Sequence, residues 1–312
     1  MHPTHGLLLI DKPKGVTSHD VVGRARRILG IKSIGHAGTL DPLASGLMIL
    51  LIGEGTKVSD YLLNGNKTYE VKVRLGLKTD SMDITGQVLV ERPVTVSCLE
   101  VEAAVLALSG PLELDVPVHS AVKVDGKKLY EYAHKGETPE SIPKRIMNFH
   151  KVDVVESGEG FVIAQISCSK GSFIRAWANE LGEKLGCGGT VEELRRLKSD
   201  PFSLDLAITL EQLRDIWDSR ARDHGSALGA AWIPLKDSLP HFDRIDIAGL
   251  DQTMLRNGQI SKSVQAQLLS KIEIGVDLPP IRVINRETDD LSALLLAQPG
   301  QFYKIKRVFN HV

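Results

Sequence analysis

The chain has 312 residues, 42% of them hydrophobic and 25% charged, with a formal net charge of −1 at pH 7. It is long and apolar enough to bury a full core, and a prior of about 150 residues per domain predicts a soluble globular protein of two domains. A membrane helix is excluded because the longest apolar run is about seven residues against the roughly 20 required, and a disulfide framework is excluded because Cys98, Cys168 and Cys187 are odd in number and far apart.

Those cysteines are expected as reduced, buried thiols. GLLLIDKPKG lacks the basic start and cleavage site of a secretory signal, so a cytoplasmic location is expected. The balance of charge hides an uneven distribution. Residues 1–36 hold six Lys/Arg against two Asp, residues 119–151 hold seven against four acids, and residues 302–312 hold three and no acid. If those segments converge on one face they suit a polyanion; the alternative is solvated surface charge.

In chain order, LLLI reads as a short strand and KPKGVTS as a turn. From Ser18, placed to cap, the residues Val21, Val22, Ala25, Ile28 and Leu29 fall on one helical face that ends at Gly30. The glycine-rich GHAGTLDPLASG then leads into a buried strand, LMILLI. KTYEVKVRLG alternates, with Tyr69, Val71, Val73 and Leu75 on one side and Lys67, Glu70, Lys72 and Arg74 assigned to a solvated one.

Ser97 and Glu100 form a capping box ahead of an Ala/Val/Leu helix expected to end at Gly110. SAVKVDGKKLYEYAHKG carries an Asp-Gly turn signal, and 117–140 reads as a projecting arm. IMNFHKVDVVE and FVIAQISCS flank SGEG as a hairpin. In SFIRAWANELGEKLG the stripe Ile174, Trp177, Leu181, Leu185 predicts a helix with Arg175 off that stripe. Two more capped helices are expected at TVEEL and TLEQL, a linker at PLKDSLPHFDR, and beyond it a small β-rich unit of about 70 residues. No internal repeat or low-complexity tract is present.

The chemistry centres on Asp41. A residue before proline is pushed away from helical backbone, so Pro42 holds Asp41 extended while Gly38 and Gly46 free the flanking chain. The carboxylate is then presented from a loop. Alone, an Asp-Pro is an ordinary turn initiator. By pattern alone Tyr69 belongs to the core and His36 to a loop. Arg175, in a first helical turn where the dipole favours acids, is more naturally a functional partner than a structural one.

Five blocks carry more than their separate signals: LLIDKPKGVTSHDVV, GHAGTLDPLASGLMILLIG, KTYEVKVRLGLKTDSMDITG, SAVKVDGKKLYEYAHKGE, and CSKGSFIRAWANELG with VEELRRLKSDPF. In order and spacing they resemble the TruB family of tRNA pseudouridine-55 synthases over about the first 235 residues. The C-terminal unit, with LRNGQ and PGQFYKIKRVF, resembles the PUA-type RNA-binding domain that often follows. The resemblance implies an α+β pseudouridine synthase fold with a mixed, largely antiparallel central sheet over residues 1–235, the arm at 117–140, and a PUA-like domain at 241–312. It implies isomerisation of one uridine in the tRNA T-arm, with no cofactor and no metal. The implied partner is the T-stem-loop of tRNA, with no membrane, no obligatory protein partner and a monomeric state.

By the same resemblance Asp41 is the catalytic carboxylate, Tyr69 the ring that stacks on the target base, and Arg175 the partner of Asp41. His36 fits among the unstacked nucleotides, Lys12 and Pro13 support the Tyr, Lys123, Lys127 and Lys128 with Tyr130 and Tyr132 belong to the arm that closes over RNA, and Phe173 and Leu194 line the substrate site. The sequence departs from the family pattern at Val116, Val118 and His119, and at Phe173, where Tyr is common.

These roles suit the chemistry. A uridine glycosidic bond is stable in water, so an ionised carboxylate is needed to attack the sugar or take a proton from it, and a forked guanidinium supplies the counter-charge. Flipping the base out of an RNA loop costs a few kcal/mol, and stacking on a ring offsets about 1–3 kcal/mol. Two other readings retain the basic segments: a non-catalytic tRNA-binding or folding protein, which has no need of Asp41 and Arg175, and a synthase guided to other RNAs by protein partners.

Overall fold

In the computed structural model the described residues are 4–124, 126–135, 141–219, 223–269, 279–298 and 301–310. The chain opens with β1 (Gly6–Lys12), α1 (Ser18–Leu29), β2 (Ser45–Ile52) and β3 (Lys67–Leu75), followed by α2 (Cys98–Ala107) and β4 (Gly110–Asp115). A short helix, α3 (Leu129–Lys135), precedes the long hairpin β5 (Lys144–Gly158) and β6 (Phe161–Cys168), then α4 (Ile174–Leu185) and β7 (Gly189–Ser199). Next come α5 (Leu210–Asp218), β8 (Trp232–Pro234) and a C-terminal group, β9 (Arg244–Ile247), β10 (Ile281–Asn285), β11 (Asp290–Gln298) and β12 (Gln301–Val308).

The large sheet runs β8-β1-β2-β7-β3-β6-β5-β4, and two short strands, Ile34–His36 and Phe202–Ser203, attach to β2 and β7. Among its described strands only β2 and β7 pair in parallel, so the sheet is mixed and largely antiparallel as expected. β9 to β12 form a separate four-stranded sheet.

The apolar runs of β1 and β2 follow from burial on both faces. Leu7, Leu9, Leu47, Ile49 and Leu51 pack on one side with Leu235, Leu239, Phe242, Leu291 and Phe309. Leu8, Ile10, Met48, Leu50 and Ile52 pack on the other with α1 and α5. Each such side chain contributes about 1.5–3 kcal/mol of burial. A third cluster fills the space between β3, β5, β6 and β7 and the helices α2 and α4, around Trp177, whose indole N–H donates to the Leu108 carbonyl at 3.0 Å.

Several expectations are corrected. TVEEL is not a helix: it is the start of β7, pinned between β2 and β3 by ladders on both sides, which override the helix-forming Glu, Leu and Arg residues. TLEQL is α5, with the Thr209–Gln212 capping box present. Thr17, not Ser18, caps α1, reciprocally with Asp20, which frees the Ser18 hydroxyl for another task. α2 ends at Ala107, and Gly110 opens β4 instead.

The stretch 234–244 is no loose linker, because Leu235, Leu239 and Phe242 are buried between β1–β2 and the C-terminal strands. Lys67 shares its parity with Tyr69 and is buried rather than solvated, and Cys98 is exposed while Cys168 and Cys187 are buried. Of the arm, a two-residue hairpin (Lys123–Val124 with Lys127–Lys128) and α3 are described; Asp125 of the Asp-Gly signal and 136–140 lie outside the described residues. No helix among the described residues is long and apolar enough to cross a membrane.

Candidate active site

The loop that joins the strand Ile34–His36 to β2 carries Asp41, and it is tied down from several directions. Leu40, Leu43 and Ala44 sink into the cluster beneath it. The Ser18 hydroxyl donates to the Leu40 carbonyl at 3.0 Å and accepts from the Leu40 amide at 2.9 Å. From the KPKG turn, the Gly15 amide donates to the Pro42 carbonyl at 2.7 Å and Lys12 Nζ to the Ala44 carbonyl at 2.6 Å. Gly38 and Gly46 have φ of +109° and +102°, and a Cβ on Gly46 would collide with the main chain of Arg196. Such anchoring fixes a carboxylate that would otherwise swing with its loop.

Asp41 faces Arg175. Arg175 Nε lies 2.9 Å from Asp41 Oδ2, with the Arg side chain 6% exposed and the Asp side chain 39% exposed. α4 starts at Ile174, so Arg175 leaves the helix in its first turn and reaches back across the cleft. Its remaining donors go to the Ser81 carbonyl at 3.0 Å and the His119 carbonyl at 2.9 Å, and Asp83 Oδ2 stands 3.9 Å from Nη1. Because His119 contributes a main-chain oxygen, its departure from the family pattern leaves that contact intact.

The cleft around this pair has a volume of about 1030 Å³. Asp41, Tyr69, Arg175, His36, Lys123, Lys128, Tyr130, Phe173 and Leu194 all line it, so nine of the thirteen residues singled out from sequence meet there. Tyr69 extends from β3, packed partly on the core, and burial pushes its phenol pKa up while the Arg196 charge beside it acts the other way. Burial, then the neighbouring His19 and Arg196, holds the His36 imidazole below its usual value; its ring meets that of His19 edge-on at 5.8 Å. Of the three basic segments, the second reaches the cleft through His119, Lys123, Lys128 and Arg145, whereas the first lends it His19 and His36 and none of its six Lys/Arg. The basic residues of the third, Lys304, Lys306 and Arg307, lie on β12 of the other sheet.

The other four, Lys12, Pro13, Lys127 and Tyr132, lie elsewhere. Pro13 is exposed, and Lys127 Nζ sits 5.6 Å from the centroid of the Tyr132 ring. Lys12 is wholly buried behind the Asp41 loop, where its Nζ donates to the Ala44 carbonyl at 2.6 Å and the Pro13 carbonyl at 3.0 Å. Burial lowers its pKa to about 8 from 10.5, against the opposing pull of Asp41.

That shift has a sign that can be measured. Between about pH 8 and 10.5 the unfolded chain holds the Lys12 proton and the folded one releases it, so stability rises with pH through that window. Lys12→Met removes the gain. Its urea midpoint should therefore fall further behind wild type on going from pH 8 to pH 10; a gap that stays constant contradicts the assignment.

Sequence reasoning missed Arg196, Asp83 and Lys67. Reading β7 as a helix scattered its faces, whereas a strand puts Leu194 and Arg196 side by side on the cleft wall. Asp83 accepts from the Ser81 and Thr85 hydroxyls and stands behind Arg175, a position no local pattern announces.

Comparison with known proteins gives the family. Residues 26–174 match the family model described as TruB family pseudouridylate synthase (N terminal domain), and residues 175–239 match the tRNA pseudouridylate synthase B C-terminal domain. The chain is 45% identical over 98% of its length, and 97% of the relative's, to tRNA pseudouridine synthase B of Bdellovibrio bacteriovorus. It is 43% identical over 82% of its length, and 79% of the relative's, to the protein of that name from Ralstonia pickettii. A chain in the crystal structure of a Cbf5-Nop10-Gar1 complex shares the fold, with a TM-score of 0.70 at 23% identity, covering 99% of this chain and 86% of that one. The chain belongs to the TruB family of pseudouridylate synthases.

Proposed function

We propose that this protein isomerises the uridine at position 55 in the T-arm loop of tRNA to pseudouridine, with Asp41 as catalytic carboxylate, Arg175 as its charged partner and Tyr69 as the ring that receives the flipped base. It is a tRNA pseudouridine synthase, an isomerase, as its relatives of that name are. The observation that carries the residue assignment is the Asp41–Arg175 pair, 2.9 Å apart on the wall of a cleft that Tyr69 also lines. A pure RNA binder has no use for that pair.

The chemistry then follows from what these side chains can do. The flipped uridine stacks on Tyr69, which places its sugar towards the Asp41 carboxylate. The C1′–N1 bond breaks with its electron pair leaving on the base, the base turns over, and C5 bonds to C1′. The proton lost from C5 is balanced by the one gained at N1, so no cofactor is consumed. Arg175 holds the carboxylate in place throughout. The Tyr69 hydroxyl is the group beside the base that can carry the C5 proton.

The same reading assigns residues 1–235 to the catalytic unit and 241–312 to a PUA-like RNA-binding unit, in a monomeric cytoplasmic enzyme that needs no protein partner. Lys123 and Lys128 line the cleft, and this reading gives them the RNA phosphates. Changing both to Ala should make the log–log dependence of binding on salt shallower by about 1.4–1.8, at about 0.7–0.9 per contact. An unchanged slope removes them from the RNA interface. The activity itself is tested by incubating the pure protein with a tRNA T-arm stem-loop and mapping pseudouridine: product at the position-55 uridine is expected, and product only at other positions or none at all overturns the proposal.

A further inference from the structure

Arg196 is buried to 1% exposure, and nothing about the position requires a charge for packing. Taking a guanidinium out of water costs several kcal/mol, so a cation whose donations go to neutral carbonyls calls for a chemical reason. Its Nε donates to the Leu47 carbonyl at 2.7 Å, Nη2 to the Gly38 carbonyl at 3.2 Å and Nη1 to the Thr39 carbonyl at 3.4 Å. Gly38 and Thr39 lie on one side of Asp41 and Leu47 on the other, so a single side chain closes both ends of the loop that presents the carboxylate.

The strand ladders extend the arrangement. On one side of β7, Arg196 is the register partner of Gly46 in β2; on the other it is the register partner of Tyr69 in β3. Its charge acts on the Tyr69 phenol, lowering a pKa that burial raises, and both side chains line the cleft. The loop of Asp41 and the strand of Tyr69 are thus joined through one residue.

We infer that Arg196 is a positioning residue for the reaction: its forked guanidinium fixes the Asp41 loop against the strand that carries Tyr69 and so sets the distance between the carboxylate and the ring. The inference rests on the proposed roles of Asp41 and Tyr69 and deepens them. An ammonium cannot replace the fork, because it is a compact charge without the planar geometry that spans Leu47 on one side and Gly38 on the other.

The test is single-turnover pseudouridine formation on a T-arm stem-loop with the full-length protein in saturating excess, alongside stem-loop Kd and melting temperature. The proteins are wild type, Arg196→Lys, Arg196→Gln, Tyr69→Phe and the double variant Arg196→Lys/Tyr69→Phe. Arg196→Lys should slow the step at least tenfold with Kd within threefold and a melting temperature within a few degrees of wild type. Adding Tyr69→Phe to it should cost less than Tyr69→Phe costs wild type, because the two side chains act as a unit.

A wild-type rate in Arg196→Lys, or losses that simply multiply, overturns the inference, as does a rate that falls only in proportion to RNA binding. If Arg196→Lys does not fold, Arg196→Gln carries the same comparison, and failure of both to fold makes the residue structural and overturns the inference too. Absence of product from wild type is a different failure, that of the function proposed above.

Discussion

Replacing Asp41 by Asn abolishes isomerisation while leaving tRNA binding within about tenfold, or about 1.4 kcal/mol, of wild type. The amide is nearly the same size, can still accept from Arg175 Nε through its oxygen, and leaves the loop contacts of Ser18, Lys12 and Arg196 untouched. What it removes is the negative charge that the sugar chemistry needs. A group in that role is worth on the order of 10²–10⁴ in rate, so the single-turnover rate should fall by at least 10²-fold. The binding surface, made by the cleft lysines and Tyr69, does not depend on that charge. Substantial residual turnover in homogeneous Asp41→Asn protein would sink the catalytic assignment, whereas a parallel collapse of binding would make Asp41 a binding residue.

The second large effect is expected at Arg175, and it reaches stability as well as rate. Arg175→Met leaves the Ser81 and His119 carbonyls without their donor and Asp83, whose side chain is 8% exposed, without its nearby cation. Breaking a buried charge cluster by removing one partner costs about 3–5 kcal/mol. Asp41 adds less to that figure, because a part-exposed carboxylate regains water when its partner goes. For a domain of this size the loss corresponds to a fall in melting temperature of roughly 6–20 °C, at about 2–4 °C per kcal/mol.

Turnover falls with it, since the carboxylate loses the contact that orients it. Arg175→Lys should recover part of the stability and little of the rate, because one ammonium cannot reach Asp41 and both carbonyls together. A Met variant that melts like wild type, or a Lys variant at full rate, contradicts the junction role assigned to Arg175.

The departure at Phe173 has a bounded consequence. Phe173 lines the cleft as the residue ahead of α4, packed partly on the core, where its ring supplies apolar surface without a hydroxyl. The backbone geometry that aims Arg175 is set by the start of α4 and does not depend on that hydroxyl.

How far the sequence reached can be judged from particular residues. Apolar periodicity identified β1, β2, β3, α1, α4 and the β5–β6 hairpin, because burial of one face leaves a period of 2 or 3.6 that no other pressure produces. Asp41 was legible because Pro42 and two glycines constrain the loop around it, and with the five family blocks the pairing with Arg175 could be expected across 134 positions of chain. The fold and the family were therefore written in the order of residues.

Three things were not. β7 carries helix-forming residues behind a Thr-x-x-Glu box, and only its place between β2 and β3 makes it a strand, since ladder hydrogen bonds on both edges outweigh local propensity. Lys12 and Lys67 look like surface lysines in one dimension, yet their ammonium groups are buried on main-chain carbonyls. Arg196 reads as one basic residue among several in LRRLK. That it closes both ends of the catalytic loop depends on three strands meeting side by side, a long-range proximity that no local spacing encodes.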